Sequence, residues 1–465
     1  MKIILTHGYF LKEDEKEKQI MRPYVPLGIL YIAAFLDRNG YLTQVFDSTF
    51  SDFDSFCRNL LKEQPDVIGI YTNLMTKINV LHMIRFIRSQ AVLHRTRIIL
   101  GGPEVRNHVS NFLHHGADVL VLGEGEETML ELVQVYEKEA MAPIHDILGI
   151  AYLENGQVRQ NAERTKIREL DTLPFPGRHK VNLQLYLDAW KSRHGVSTIS
   201  INTMRGCPYS CKWCSRAVYG QSYRRRSPSN VADEMEAIQN TYSVDSIWFV
   251  DDVFTISHKW LQQFAEEIRR RKIRLSFECI TRADRMNEEV IQLLKESGCF
   301  RVWIGAESGS QKIIDKMDRR VEVGQVRDMI RSARAGGLQA GTFIMVGYPG
   351  ETKEDIYETV KHLKLSDPDL FTITVAYPIK GTPLYAEVEN QFLTRLDWES
   401  STDRDIDFVR TYKRKVYDHA IDMINREISW FKEVNKPQKD RWKACKLKVK
   451  ALLARGRMEW AILRS

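Results

Sequence analysis

The sequence predicts an α/β fold: an N-terminal doubly wound, Rossmann-like domain, then a partial (β/α)6 barrel, then a helical C-terminal extension. Three observations carry this. Short Val-, Ile- and Leu-rich runs alternate with helical stretches over residues 1–140. A second alternating series starts near Val196 and makes six strand–helix repeats. Beyond residue 390 the alternation stops and the pattern becomes helical and charged. A chain of 465 residues is expected to hold two or three domains, since domains usually run about 100–200 residues.

The first series reads as strands at Lys2–Thr6, Thr43–Phe46, Asp66–Tyr71, Arg97–Leu100 and Asp118–Leu122, with helices near 27–39, 52–63, 77–90, 105–115 and 126–138. Such alternation implies a parallel sheet covered on both faces, with ligands at the carboxyl ends of its strands. Gly101-Gly102-Pro103 and Gly123-Glu124-Gly125-Glu126 fall at those ends. Glycine there permits close backbone approach to a ligand, although ordinary tight turns look the same. Residues 141–193 read as a linker, with a hairpin over 151–158 turning at Asn155-Gly156 and an extended path at Pro174 and Pro176.

The second series, 194–390, reads as strands at 196–203, 246–250, 273–280, 301–306, 338–346 and 370–376, with helices at 229–240, 258–271, 287–297, 310–335 and 353–365. In parallel barrels the chemistry sits at the carboxyl ends of the strands. Residues 391–465 form the helical region.

Composition narrows the class. The chain is 43% hydrophobic and 28% charged, as expected of a globular protein with a sizeable core. No apolar run reaches the roughly 18 residues of a spanning helix, and the longest, Leu27 to Leu36, is interrupted by Gly28. Met1–Thr6 reads as a strand and not as a leader, so the cytoplasm is the expected location. Pro437 to Ser465 carries nine Lys or Arg against two acids, which accounts for the whole net charge of +7. A basic tail on a neutral body is not the broad basic surface of a nucleic-acid enzyme.

Seven cysteines in a chain this long make no disulfide framework. Cys57, Cys279, Cys299 and Cys445 are scattered and read as small hydrophobes. Cys207, Cys211 and Cys214 sit together in Arg205-Gly-Cys-Pro-Tyr-Ser-Cys-Lys-Trp-Cys214, a C-x3-C-x2-C spacing just after the first strand of the second series. Soft thiolates this close favour zinc or iron–sulfur. Structural zinc wants four protein ligands and no fourth Cys or His lies nearby, which leaves only a zinc site completed by a distant residue. A four-iron cluster on three thiolates keeps one iron open to an exogenous ligand.

With Trp213 before the third cysteine, this segment resembles the radical S-adenosylmethionine superfamily over roughly 194–390. The resemblance implies a [4Fe-4S] cluster on Cys207, Cys211 and Cys214, whose open iron chelates S-adenosylmethionine and yields a 5′-deoxyadenosyl radical. It implies an external electron donor, flavodoxin or ferredoxin. Further matches carry cofactor contacts across by position. Trp213 would meet the adenine, and Asp251 and Asp252 in Phe249–Phe254 the methionine amino group. Arg282 would pair with its carboxylate, Glu307 and Ser308 would contact the ribose, and Gly347 opens the segment after the fifth strand.

The N-terminal domain is similar to the cobalamin-binding domain that precedes the radical core in one large subfamily. The residues that match are Pro26, Leu27 and Gly28, then Gly101 and Gly102, then Gly123 and Glu124, together with Leu173-Pro-Phe-Pro176 and 215–228. The D-x-H-x-x-G motif that supplies a histidine to cobalt elsewhere is missing, and His7 stands alone, so cobalamin without a protein histidine ligand is expected. The subfamily's most frequent activity is methylation of an unactivated carbon by way of methylcobalamin, and that is the expected function, on a small-molecule or lipid-like substrate. Radical cyclisation, rearrangement or carbon–carbon coupling is the rival, since the anaerobic porphyrin-ring cyclase shares this domain order. A non-catalytic cobalamin or iron–sulfur sensor is the rival outside enzymes. Methylthiotransferases that modify transfer RNA need three N-terminal cysteines, whereas 1–140 holds only Cys57.

In the tail, Trp442, Cys445, Val449, Leu452, Trp460 and Leu463 fall near one helical face, with Lys443, Lys446, Lys448, Lys450 and Arg457 largely elsewhere. The favoured expectation is a terminal helix docking that stripe on the protein. The alternative is a peripheral helix at an anionic membrane.

Overall fold

The structure is a computed structural model that describes residues 1–138, 143–438 and 440–465. The expected boundary at 140/141, and Lys439 of the tail, lie outside the described residues. Contacts divide the chain into two compact units, Met1–Pro208 with Ser215–Trp248 and Leu396–Asp403, and Tyr209–Cys214 with Phe249–Arg395 and Arg404–Ser465.

The first unit opens with β1 (Ile3–His7), α1 (Glu15–Ile20), α2 (Leu27–Arg38), β2 (Thr43–Phe46), α3 (Phe53–Glu63), β3 (Val67–Tyr71), α4 (Lys77–Ser89), β4 (Arg97–Gly101), α5 (Val109–His114), β5 (Val119–Val121) and α6 (Glu126–Lys138). A hairpin follows, β6 (Ile150–Glu154) and β7 (Gln157–Gln160). Seven strands lie in the order β2-β1-β3-β4-β5-β6-β7, the first five parallel and the last two antiparallel.

Side-chain alternation explains why the sheet is wound on both faces. Ile4, Ile68, Leu100 and Leu120 pack on one face with Phe56, Leu60, Val80 and Phe112. Their neighbours Ile3, Val67, Ile99 and Val119 pack on the other with Ile29, Leu36, Met129 and Leu132. The hairpin turns at Asn155 and Gly156, with φ of 49° and 76°, the two positive values a type I′ turn demands. The segment read as a linker therefore extends the sheet by two strands.

The first unit continues with α7 (Leu183–His194), β8 (Thr198–Ile201), β9 (Met204–Arg205), β10 (Arg224–Arg225), α8 (Pro228–Thr241) and β11 (Ser246–Phe249). β9 and β10 pair antiparallel. Leu183, Tyr186, Leu187 and Trp190 of α7 are buried at helical spacing, a period legible within the presumed linker.

The second unit contains α9 (His258–Arg271), β12 (Ser276–Thr281), α10 (Glu288–Glu296), β13 (Cys299–Glu307), α11 (Gln311–Lys316), α12 (Val323–Ala335), β14 (Gln339–Val346), α13 (Lys353–Ser366), β15 (Leu370–Val375), α14 (Pro383–Val388), α15 (Arg414–Val434) and α16 (Arg441–Leu463). β12, β13, β14 and β15 run parallel in sequence order, the strands of a half-barrel sheet. The expected α/β architecture is thus present: a doubly wound sheet, a half barrel and a helical C-terminal region.

Two expectations are corrected. The single helix read over 310–335 is two helices, because the chain reverses at 317–322 with Asp318 and Arg320 at φ of 49° and 56°. The tail helix docks by the opposite face from the one expected. Ala451, Ala454 and Met458 are its buried residues, while Trp442, Cys445, Val449, Leu452, Trp460 and Leu463 are exposed. Small side chains let α16 lie close along α15, so packing chose the alanine face. Of the scattered cysteines, Cys279 and Cys299 are buried, Cys57 is half-buried and Cys445 is exposed. Among the described residues no helix is long and apolar enough to cross a membrane.

Candidate active site

In the first unit the order 2-1-3-4-5 places a topological switch between β1 and β3, where doubly wound sheets bind ligands. His7, Tyr71 and Gly101 end three neighbouring strands in one register row. Pro26 and Leu27 open α2 there, and a Cβ on Gly28 would lie 3.8 Å from the Tyr71 ring. Gly102 has φ of 104°, and a Cβ on it would stand 2.4 Å from the Thr72 carbonyl oxygen. Gly123 has φ of 127°. These glycines keep backbone bare along the strand ends. Both ring nitrogens of His7 are engaged: Nε2 with Asp47 at 3.1 Å, and Nδ1 accepting from the Tyr9 amide.

Glu124 is held by three donors. Its carboxylate accepts from Arg205 Nη1 at 2.7 Å, Arg224 Nη1 at 2.6 Å and the Ile167 amide at 3.0 Å. Glu126 accepts from Arg205 Nη2. Arg205 also lies over the rings of Tyr31 and Tyr219, 5.5 and 5.4 Å from their centroids. The acids of the Gly-Glu-Gly-Glu turn thus clamp the strand that leads into Cys207. Gly206, at φ of 86°, leaves no room for a side chain, because a Cβ would meet Ser222 Oγ at 2.3 Å. Cys207 follows, 9% exposed.

In the second unit Tyr209–Cys214 is held on several sides. Tyr209 accepts from Arg285 Nε at 2.5 Å and lies 3.8 Å beneath the Arg282 guanidinium. Ser210 donates to Asp318 at 2.6 Å, the Lys212 amide to the Met317 carbonyl at 3.1 Å, and the Leu384 amide to the Lys212 carbonyl at 2.9 Å. Cys211 is 6% exposed and Cys214 half-buried.

Two guanidinium groups converge on Cys211. Arg282 Nη1 and Arg319 Nη1 each lie 3.8 Å from its Sγ. Arg282 is 2% exposed and is further tied by Nε to Asp284 at 2.8 Å and by Nη2 to the Arg319 carbonyl at 2.8 Å. Arg319 donates to the Gly305 carbonyl at 2.8 Å and stands 5.8 Å over the Trp213 ring. Sequence reasoning missed Arg319: it lies in the reversal between α11 and α12, where no periodicity or motif marks it.

Glu307 ends β13 at φ of 65°, with a register shift between Gly305 and Glu307. A non-glycine residue there is strained, and such strain concentrates at functional sites. Its Oε1 lies 3.8 Å from Arg319 Nη2. Burial raises its pKa against the pull of Arg319 and Arg282. A Cβ on Gly305 would meet Arg319 Nη2 at 2.4 Å, so glycine is what admits the guanidinium. Ser308 Oγ accepts from the Ser310 amide at 3.2 Å. Asp251 is buried and Asp252 exposed at the end of β11.

Gly347 donates to Glu351 Oε2 at 2.5 Å, while Glu351 Oε1 has no partner among the described residues. Burial pushes the Glu351 carboxyl up to about 8. A folded-state pKa above the unfolded value means its stabilising effect is whole below about 4.5 and is lost as pH rises through about 8. Glu351→Gln removes that dependence. Urea melts across this window are expected to show the variant gaining on the parent by a few kcal/mol as pH rises; parallel curves would refute the neutral carboxyl.

Among the described residues no three Cys, His, Asp or Glu side chains converge as ligands of one ion. Thiolates that each take a separate iron stand further apart than ligands meeting one ion at about 2.3 Å. The donor set fits a cluster in its chemistry: soft thiolates with N–H donors aimed at sulfur, the arrangement that tunes iron–sulfur centres.

Two family models match the chain, the radical SAM superfamily over residues 201–363 and the B12 binding domain over residues 21–133. An uncharacterized methyltransferase of Pyrococcus horikoshii is 30% identical over 384 residues, covering 81% of each chain. The anaerobic magnesium-protoporphyrin IX monomethyl ester cyclase of Cereibacter sphaeroides is 26% identical over 401 residues, 84% of this chain and 64% of that one. The structure of the cobalamin-dependent S-adenosylmethionine radical enzyme OxsB with aqua-cobalamin bound shares the fold. Its TM-score is 0.76 at 16% identity, over 99% of this chain and 72% of that one.

Proposed function

Because the chain belongs to the radical S-adenosylmethionine superfamily and carries a B12-binding domain, we propose that it is a cobalamin-dependent radical S-adenosylmethionine methyltransferase acting on an unactivated carbon. The observation that carries this reading is the pair of buried guanidinium groups donating to Cys211 beside a strained strand end. Cys207, Cys211 and Cys214 would hold the [4Fe-4S] cluster. With S-adenosylmethionine it supplies a carbon radical, and cobalamin supplies the methyl group.

The chain's own residues do the positioning. Arg282 and Arg319 place positive charge and N–H donors on a thiolate sulfur. Trp213, with the Arg319 guanidinium over its ring, would meet the adenine. Asp251 and Asp252 would offer carboxylates to an ammonium, Glu307 and Ser308 would offer acceptors to ribose hydroxyls, and Gly347, its amide held by Glu351 and its carbonyl by Arg410, fixes the turn after β14. In the first unit Pro26, Leu27, Gly28, Gly101, Gly102 and Gly123 lie at the strand ends where a corrin would sit, and Glu124 anchors the turn beside them. A small-molecule or lipid-like substrate and an external flavodoxin or ferredoxin complete the reading. Orientation matters more than reactivity here, since a primary carbon radical attacks almost any nearby C–H bond.

Hydrogen bonds and positive charge at a cluster thiolate favour the added electron. Arg319→Met is therefore expected to move the midpoint potential of the reconstituted protein to more negative values, read by anaerobic redox titration. An unchanged potential would sever Arg319 from the thiolate.

The function is tested by anaerobic reconstitution with iron, sulfide and cobalamin, then S-adenosylmethionine under a strong reductant. The expected products are 5′-deoxyadenosine and S-adenosylhomocysteine in a near one-to-one ratio with methylated substrate. No cleavage of S-adenosylmethionine would overturn the proposal and leave a non-catalytic sensor. The relative named as a cyclase favours a second reading, radical ring closure, for which 5′-deoxyadenosine would form without S-adenosylhomocysteine.

A further inference from the structure

We propose that α16 is an interfacial helix that docks the protein on an anionic lipid bilayer. The inference rests on the helix surface alone and stands apart from the cofactor chemistry. The rotation of α16 about its axis is set by its inner face. Ala451 is 0%, Ala454 1% and Met458 0% exposed. One flank is pinned by Lys448, 3.7 Å over Trp430, by Arg455, 4.6 Å over Tyr357, and by Tyr357 donating to Glu459 at 2.6 Å.

With that face inward, a second apolar face points out. At about 100° per residue, Trp442, Val449, Leu453 and Trp460 fall within roughly 40° of one line, opposite the alanines. Their exposures are 87%, 51%, 62% and 53%, and Leu452 and Leu463 beside them are 52% and 85% exposed. Single exposed apolar residues need no explanation; a continuous stripe of the largest ones marks an interaction surface.

Charge selects the occupant. The helix carries seven Lys or Arg and one acid. Lys446 and Lys450, on one edge of the stripe, have no ion-pair partner among the described residues, and Arg457 on that edge pairs with Asp422 at 2.9 Å. A second copy of α16 would bring like charges together. An anionic headgroup layer over acyl chains meets both features at once: lysines reach the phosphates, tryptophans sit at the boundary, and leucines enter the hydrocarbon. The helix is about 34 Å long and too polar to cross the membrane, so it would lie in the plane of the surface.

The test is flotation of the full-length protein with phosphatidylcholine–phosphatidylserine vesicles and with phosphatidylcholine vesicles alone. Salt-sensitive binding to the first and little to the second is expected. The Trp442→Ser/Trp460→Ser and Lys446→Glu/Lys450→Glu variants should each weaken binding by about tenfold or more. All four side chains are exposed, so thermal melts should stay unchanged and separate binding from folding. Absence of binding by the parent would overturn the proposal. So would variants that bind like the parent, or a concentration-dependent dimer abolished by the tryptophan changes. Equal binding to polyglutamate that ignores the tryptophan changes would also overturn it, in favour of an acidic partner.

Discussion

Cys211→Ala is expected to abolish formation of 5′-deoxyadenosine, a loss of several orders of magnitude, while the protein remains folded. Cys211 is the sulfur on which Arg282 and Arg319 converge. Its removal would take away a proposed iron ligand and leave two buried guanidinium groups facing a methyl group. Iron and sulfide content after reconstitution should fall with activity, and Cys207→Ala and Cys214→Ala should behave alike. Cys279→Ala, on a buried sulfur of β12, is the contrasting control and should keep its iron. A full iron complement in the Cys211 variant would refute the assignment.

Arg205→Ala should strongly destabilise the first unit. Glu124 and Glu126 are each about 95% buried at the side chain, and Arg205 is the cation that bridges them. Breaking a buried pair by removing one partner costs about 3–5 kcal/mol, because the remaining charge is stranded. Glu124 would keep Arg224, whereas Glu126 would lose the cation it meets. Adding Glu126→Gln to the alanine variant should therefore restore part of the loss in urea melts, and no rescue would show that the ion pair is not the cause. Since β9 leads directly into Cys207, iron content should fall in the single variant as well.

Much of the fold is legible in the sequence. The central strands of both sheets follow from their Val- and Ile-rich runs, since a strand buried on two faces needs little else from its neighbours. The cysteine turn is legible because its chemistry demands a fixed local spacing. Arg319 was not, because its closeness to Cys211 depends on the chain reversing at Asp318 and Arg320, and no local signal marks that turn. The acids of the Gly-Glu-Gly-Glu turn suggested a ligand contact, yet their partners lie tens of residues away, in Arg205 and Arg224. In α16 the sequence contains two apolar faces, and hydropathy cannot tell which one meets protein. The approach of α15 decided for the alanines.

The hairpin that closes the first sheet has a consequence for how this protein behaves among its own copies. β7 is the outermost strand, four residues long, Gln-Val-Arg-Gln, with every side chain exposed. A long, flat, greasy border would invite strands from other molecules to add on and grow into fibres. A short polar border with an arginine discourages such growth. The two extra strands thus act as a hem, ending the sheet where a five-stranded version would have presented β5, Val-Leu-Val, to its surroundings.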